Sequence, residues 1–231
     1  MGCEFSTPKK LVAEFIGTMG LIIAVIGSVM LVELSFGTSE PIFKILLQGI
    51  AAGFILFAMI EALGKISGGH FNPAVTLAVI VSKGIEAKTG VLYIIAQILG
   101  GLAGVFILNI TFFDFLNESV FYVSTNTVSP FLIISEFLCV FLLVAVVFGC
   151  VRSGSKLTSL AVGVFVGGMI MATASTFYAN PAVDIARIFT EVACGISPLT
   201  SLYYIIAAVF GALAAAGLFY WLYPMEKPAD E

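Results

Sequence analysis

Charge is scarce in this chain: Lys, Arg, Asp and Glu make up 10% of its 231 residues, against about 25% in an ordinary soluble domain. The ten Lys and Arg are scattered, so no basic face exists for nucleic acid and that function class is excluded. There is one histidine, His70, which removes His-cluster metal sites and most imidazole-based catalysis. The four cysteines, Cys3, Cys139, Cys150 and Cys194, have neither CxxC nor metal-ligand spacing, so neither a disulfide framework nor a metal site follows. No nucleophile–base pair lies in the apolar segments, and Asp184 is the only Asp between 115 and 229. An intramembrane enzyme therefore has no support, and no cofactor is implied.

What the chain has instead is apolar surface. Hydrophobic residues make up 60% of it, beyond the about 45–50% that a soluble domain carries, so its solvent is lipid. Apolar runs of spanning length lie at about 11–33, 42–63, 90–112, 130–151, 158–176 and 200–223. Two further runs, Pro73–Ser82 and Pro181–Thr190, are too short to cross a hydrocarbon core of about 30 Å and read as re-entrant half-helices. The first apolar run continues at spanning length, so it is no cleavable signal. The opening Met-Gly-Cys-Glu-Phe-Ser fits a loose myristoylation pattern, but chance is the simpler explanation in a chain that already spans the membrane.

Orientation follows from Lys and Arg in the short loops. With a cytoplasmic N-terminus, Lys9, Lys10, Lys65, Lys83, Lys88, Arg152, Lys156 and Lys227 lie inside, and only Lys44 and Arg187 lie on the outer half. Both termini are then cytoplasmic, and the two half-helices enter from opposite faces.

The chain also repeats itself. Ala13-Glu14-Phe15 returns as Ser135-Glu136-Phe137, Asn72-Pro73-Ala74-Val75 as Asn180-Pro181-Ala182-Val183, and Tyr93-Ile-Ile-Ala-Gln-Ile-Leu-Gly100 as Tyr204-Ile-Ile-Ala-Ala-Val-Phe-Gly211. The order is conserved between the two sets, which describes two halves (about 10–112 and 130–223) of three spans plus a half-helix. Three is odd, so the second half is inverted relative to the first, a plan typical of transport proteins with a pathway at the repeat interface. The expected fold is an all-α membrane protein, a single channel domain over 1–231 with six transmembrane helices and two re-entrant half-helices. The glycine pairs Gly64/Gly68, Gly100/Gly104 and Gly163/Gly167 would let helices approach closely.

Asn-Pro-Ala at a half-helix start has a direct physical meaning. Asn caps the helix, Pro suits the first turn because its missing N–H would be unbonded anyway, and Ala keeps the turn slim. The Asn oxygen accepts from the helix and its NH2 is left to donate outward. Two such starts meeting near the midplane bring two partial positive charges together, in a place where irregular backbone requires protein or water around it. A neutral molecule with an acceptor oxygen is welcome there, whereas a cation is repelled.

These motifs resemble the aquaporin and glycerol-facilitator (major intrinsic protein) family over nearly the whole chain. Gly64-Lys-Ile-Ser-Gly-Gly-His-Phe-Asn-Pro-Ala-Val-Thr76 is similar to that family's first loop, and Ala13-Glu14-Phe15-Ile16-Gly17-Thr18 to its first-helix opening. The resemblance implies a pore in each protomer of a homotetramer, with Asn72 and Asn180 donating to the permeant at its centre beside Pro73, Ala74, Pro181 and Ala182. It also implies that Glu14 and Glu136 brace the two re-entrant loops; a proton relay is the rival role for these carboxylates, and their symmetric placement favours bracing.

The chain departs from the family at the outer filter. Where most members carry Arg after the second Asn-Pro-Ala, this one has Val183. Alignment places Ala52 and Ile170 at two further filter positions and Phe177 at the fourth, an apolar set that resembles some plant vacuolar members. Arg187 is four residues after Val183, on the same helix face. Its guanidinium either reaches back to the vacant site or snorkels outward. Asp184 with Arg187 resembles the Asp and Arg of glycerol facilitators after one deletion, whereas Tyr203 and Tyr204 fall where water channels keep aromatics. His70 lies on the cytoplasmic approach to Asn72, as a hydrogen-bonded pore-lining wall or as a pH gate. The reading is a passive channel of the cell membrane for water and small neutral solutes, possible glycerol conduction included. Its rival is an ion- or proton-coupled secondary transporter using Glu14, Glu61 or Glu136.

Overall fold

In the computed structural model, residues 5–37, 41–116 and 120–223 are described. Met1 to Glu4 of the lipidation pattern, with Cys3, and Lys227 lie outside them. Among the described residues, eight α-helices run in the order α1 (Thr7–Phe36), α2 (Pro41–Ser67), α3 (Pro73–Val81), α4 (Ala87–Thr111), α5 (Leu132–Arg152), α6 (Thr158–Ala172), α7 (Pro181–Ala186) and α8 (Pro198–Leu222). Among the described residues there is no strand.

Among the described residues, five helices, α1, α2, α4, α5 and α8, are long and apolar enough to cross a membrane. The expected span at 158–176 stops sooner. α6 has 15 residues, about 22 Å at 1.5 Å per residue. Thr173 turns to extended backbone (φ −104°, ψ 149°), and Thr176, Phe177 and Ala179 take positive φ. The second half-helix is also shorter than its apolar run, since α7 ends at Ala186 and tightens into one 3-10 turn, Arg187–Phe189.

The two halves, α1–α4 and α5–α8, pack in equivalent ways. α1 packs on α2 and α4, as α5 packs on α6 and α8; α3 crosses to α8, as α7 crosses to α4. α2 and α6 pair with each other antiparallel, so Glu61 near the end of α2 accepts from Ser159 Oγ at the start of α6, at 2.7 Å. α3 follows the end of α2 and α7 follows the end of α6, so the half-helices enter from opposite ends of the bundle.

Small residues explain how closely these helices approach. A Cβ added at Gly53 would lie 2.8 Å from the Gly163 carbonyl oxygen, and one at Gly163 would lie 2.6 Å from that of Gly53. Gly49 and Gly167 oppose each other in the same way, at 2.9 and 2.8 Å. Gly100 sits against the Phe15 carbonyl, and its repeat partner Gly211 against that of Phe137. The expected Gly64/Gly68 pair makes no helix contact: Gly68, at φ 97°, turns the loop instead. Large apolar side chains such as Phe54, Ile110, Val164 and Phe210 face outward, and small residues such as Gly100 and Gly104 of α4 and Ala208, Gly211 and Ala212 of α8 face inward. This is the packing of helices in lipid, where close van der Waals approach replaces the hydrophobic drive.

Candidate functional site: a cavity between two Asn-Pro-Ala half-helix starts

Asn72 and Asn180 cap α3 and α7 from nearly the same backbone conformation, φ/ψ −155°/118° and −157°/109°. Asn72 Oδ1 accepts from Ala74 N at 2.8 Å and Val75 N at 3.4 Å; Asn180 Oδ1 accepts from Ala182 N at 3.0 Å. Each amide then reaches across to the other half. Asn72 Nδ2 donates to the Ala179 carbonyl at 2.8 Å, and Asn180 Nδ2 to the Phe71 carbonyl at 2.9 Å. One N–H of each NH2 is committed to this crossing, and the second is free to donate. Pro73, Ala74, Pro181 and Ala182 are buried in the first turns behind the caps.

The crossing requires Phe71 and Ala179 to take left-handed conformations, φ 48° and 43°, which cost about 1–3 kcal/mol each for a non-glycine residue. Two buried carboxylates hold them. Glu14 Oε2 accepts from Phe71 N at 2.7 Å, and Oε1 from His70 N at 3.0 Å. Glu136 Oε2 accepts from Ala179 N at 2.6 Å, and Oε1 from Tyr178 N at 3.1 Å. Ser67 Oγ and Gln97 Nε2 also donate to Glu14, at 2.6 and 2.7 Å. Both carboxylates thus accept from backbone N–H groups of the two re-entrant loops.

A cavity of about 90 Å³ passes between the half-helix starts, well above the about 10–15 Å³ that a water needs. Asn72, Asn180, His70, Ala52, Ile170, Phe177, Val183 and Arg187 all line it. The aliphatic wall continues with residues such as Leu56, Val75, Val162 and Val166. Glu14 and Glu136 do not line it. Phe177 packs edge-on against Phe165, with centroids 5.8 Å apart.

Arg187 settles between its two expected placements. It is 1% exposed and lines the cavity, so it does not snorkel. Its Cζ lies 3.8 Å from the centroid of the Tyr178 ring. His70 is both lining and bonded: Nδ1 lies 3.1 Å from Thr76 Oγ1. Thr76 Oγ1 in turn donates to the Asn72 carbonyl and accepts from Gln97 Nε2. With the hydroxyl proton on Asn72 O, His70 Nδ1 is the donor of its pair.

Several residues of this assembly were missed by sequence reasoning. Ser67, Gln97 and Thr76 complete the polar shell around Glu14, and Tyr93 OH donates to the Ser67 carbonyl at 2.9 Å. Tyr93 and Gln97 stood inside the repeated Tyr-Ile-Ile-Ala motif, and that was the available signal. Gln97 has Ala208 as its partner in the second half. Asp184, the counterpart of Thr76, is buried with neither carboxylate oxygen hydrogen-bonded. Between α1 and α2, Lys44 Nζ pairs with Glu33 Oε1 at 2.9 Å, both side chains buried. Glu33 Oε1 also accepts from Ala193 N, at 3.0 Å, which ties the segment after α7 to α1.

Comparison with known proteins gives the family and the fold. The family model described as major intrinsic protein matches residues 3–177. An aquaglyceroporin, AqpS, of Rhizobium meliloti is 33% identical, over 97% of this chain and 94% of its own. Aquaporin AqpM of Methanothermobacter marburgensis is 31% identical over 94% of this chain and 98% of its own. The X-ray structure of the aquaglyceroporin from Plasmodium falciparum superposes with a TM-score of 0.75 at 20% identity, covering 93% of this chain and 96% of that one, which shows a shared fold.

Proposed function

The chain belongs to the major intrinsic protein family, and from that membership we propose that it is a passive membrane channel for water and small uncharged solutes such as glycerol. The observation that carries the reading is the reciprocal crossing of Asn72 and Asn180 beside a lined cavity. Each asparagine keeps an N–H for a permeant's oxygen while its other bonds are already made, so a solute exchanges water for protein donors without disturbing the loops. Positive half-helix ends that exclude protons and cations are general to aquaporin-type pores. Ala52, Ile170, Phe177 and Val183 form the outer constriction, with Arg187 as its donor. His70 forms part of the inner wall. Glu14 and Glu136 brace the loops.

The same reading takes 1–231 as one channel domain with repeats over about 10–112 and 130–223. It places the chain in the cell membrane with both termini cytoplasmic, as a homotetramer, and assigns it no covalent chemistry and no cofactor. A coupled transporter would need a titratable carboxylate in the pathway. Glu14 and Glu136 stand behind it with their oxygens occupied by donors, which supports the channel.

Osmotic shock of proteoliposomes tests this. Vesicles carrying the protein are expected to shrink faster than empty ones under an impermeant osmolyte, or to reswell faster in glycerol. Rates equal to empty vesicles in both formats would defeat the proposal.

A further inference from the structure

We propose that Tyr178 is a positioning residue that holds the Arg187 guanidinium at the cavity, and that this held charge is the cation barrier of the outer pore. The inference rests on the channel reading and adds to it the origin of charge selectivity. Ala52, Ile170, Phe177 and Val183 offer no charge and no side-chain dipole to an ion. Arg187 is the cationic side chain among the described lining residues, and its position decides the local potential.

Two features make Tyr178 the cause of that position. First, the ring is itself fixed on three sides. Its backbone N donates to Glu136 Oε1 at 3.1 Å, its hydroxyl donates to the Cys194 carbonyl at 2.9 Å, and Tyr204 packs edge-on at 5.2 Å. Ile196 N donates to the Arg187 carbonyl at 3.1 Å, so the segment carrying Cys194 folds back over the same pair. Second, the guanidinium has no carboxylate partner within ion-pair distance among the described residues, and Nε and Nη1 have no hydrogen-bond partner. An ion pair would hold the side chain and cancel its charge together. An aromatic face holds a cation through the ring quadrupole and leaves the net charge in place. The first half shows the contrast: His70, the counterpart of Tyr178, packs edge-on to Tyr93 at 5.5 Å and bonds a hydroxyl.

The test compares Arg187→Gln, Tyr178→Leu, Tyr178→Phe and the double variant Tyr178→Leu/Arg187→Gln in proteoliposomes. The readout is sodium and proton leak divided by water permeability of the same vesicles. Arg187→Gln and Tyr178→Leu are each expected to raise that ratio about tenfold or more, as loss of a unit charge near a low-dielectric path implies. Tyr178→Phe, which keeps the ring face, is expected to stay near wild type. The double variant is expected to leak no more than Arg187→Gln alone, because both changes remove one effect. Tyr178→Met serves in place of the Leu variant if that one does not reconstitute. A tight Arg187→Gln channel overturns the barrier. A tight Tyr178→Leu beside a leaky Arg187→Gln, additive leaks, or a leaky Tyr178→Phe overturns the positioning role. A wild-type protein that conducts no neutral solute refutes the channel reading instead.

Discussion

Glu136→Gln separates bracing from proton relay. The substitution keeps shape but sets an NH2 group against a backbone donor, since Tyr178 N and Ala179 N approach different carboxylate oxygens at 3.1 and 2.6 Å. Whichever way the amide turns, one buried N–H is left without an acceptor, which costs about 1–3 kcal/mol. The bond to Ala179 N also holds a left-handed residue, at φ 43°, so its loss lets that residue relax. The Ala179 carbonyl would then move off Asn72 Nδ2, 2.8 Å away, and disturb the centre of the cavity. At about 2–4 °C per kcal/mol for a chain of this size, the melting temperature is expected to fall by about 2–12 °C, with a parallel loss of water permeability per reconstituted protein. Glu14→Gln, whose carboxylate accepts from four donors, is expected to lose at least as much. Thermal unfolding in detergent and stopped-flow light scattering measure the two effects. A Glu136→Gln protein with wild-type melting and unaltered permeability would refute the bracing account. One with wild-type melting whose flux loses only its dependence on a proton gradient would establish the relay.

Four further substitutions probe packing, the outer constriction and the buried pair. Gly163→Ala sets a methyl carbon 2.6 Å from the Gly53 carbonyl oxygen, a backbone atom that cannot swing aside, and is expected to cost about 1–3 kcal/mol; Gly217→Ala, with open space around it, is expected to be neutral or stabilising by up to about 1 kcal/mol, and comparative melting checks both. Val183→Arg places a long cationic side chain on the cavity wall, and glycerol permeability is expected to fall several-fold more than water permeability in paired swelling assays. Lys44→Met leaves the Glu33 carboxylate, 6% exposed, without its cation and is expected to destabilise by about 3–5 kcal/mol, seen as a lower melting temperature.

The parts of this fold that were legible in the sequence are those with a local cause. Apolar runs marked the spans, and Asn-Pro-Ala marked both half-helix starts, because cap and first-turn chemistry lie within three residues. The inverted repeat was readable since equivalent environments select equivalent residues, as at Glu14 and Glu136. The end of α6 was not readable: residues 173–176, Thr-Ala-Ser-Thr, are small and follow an apolar run without a Gly or Pro to stop it, but the loop must swing Phe177 and Ala179 into left-handed backbone to reach the other half. The packing of Gly49 and Gly53 against Gly167 and Gly163 was not legible because a small-residue stripe has meaning only once its partner helix is known. Arg187 was open between two placements for a related reason. The residue that decides it, Tyr178, lies nine positions earlier and on the far side of α7, and no helical spacing links the two.

The central claim is that flux follows the solute's own gradient and no other. The direct measurement is glycerol flux in proteoliposomes loaded with a pH-sensitive dye, taken with and without imposed proton and sodium gradients. Glycerol entry is expected to exceed that of empty vesicles, unchanged by either gradient and without a change in internal pH. Entry that requires a gradient, or that carries protons in stoichiometric step, would contradict it.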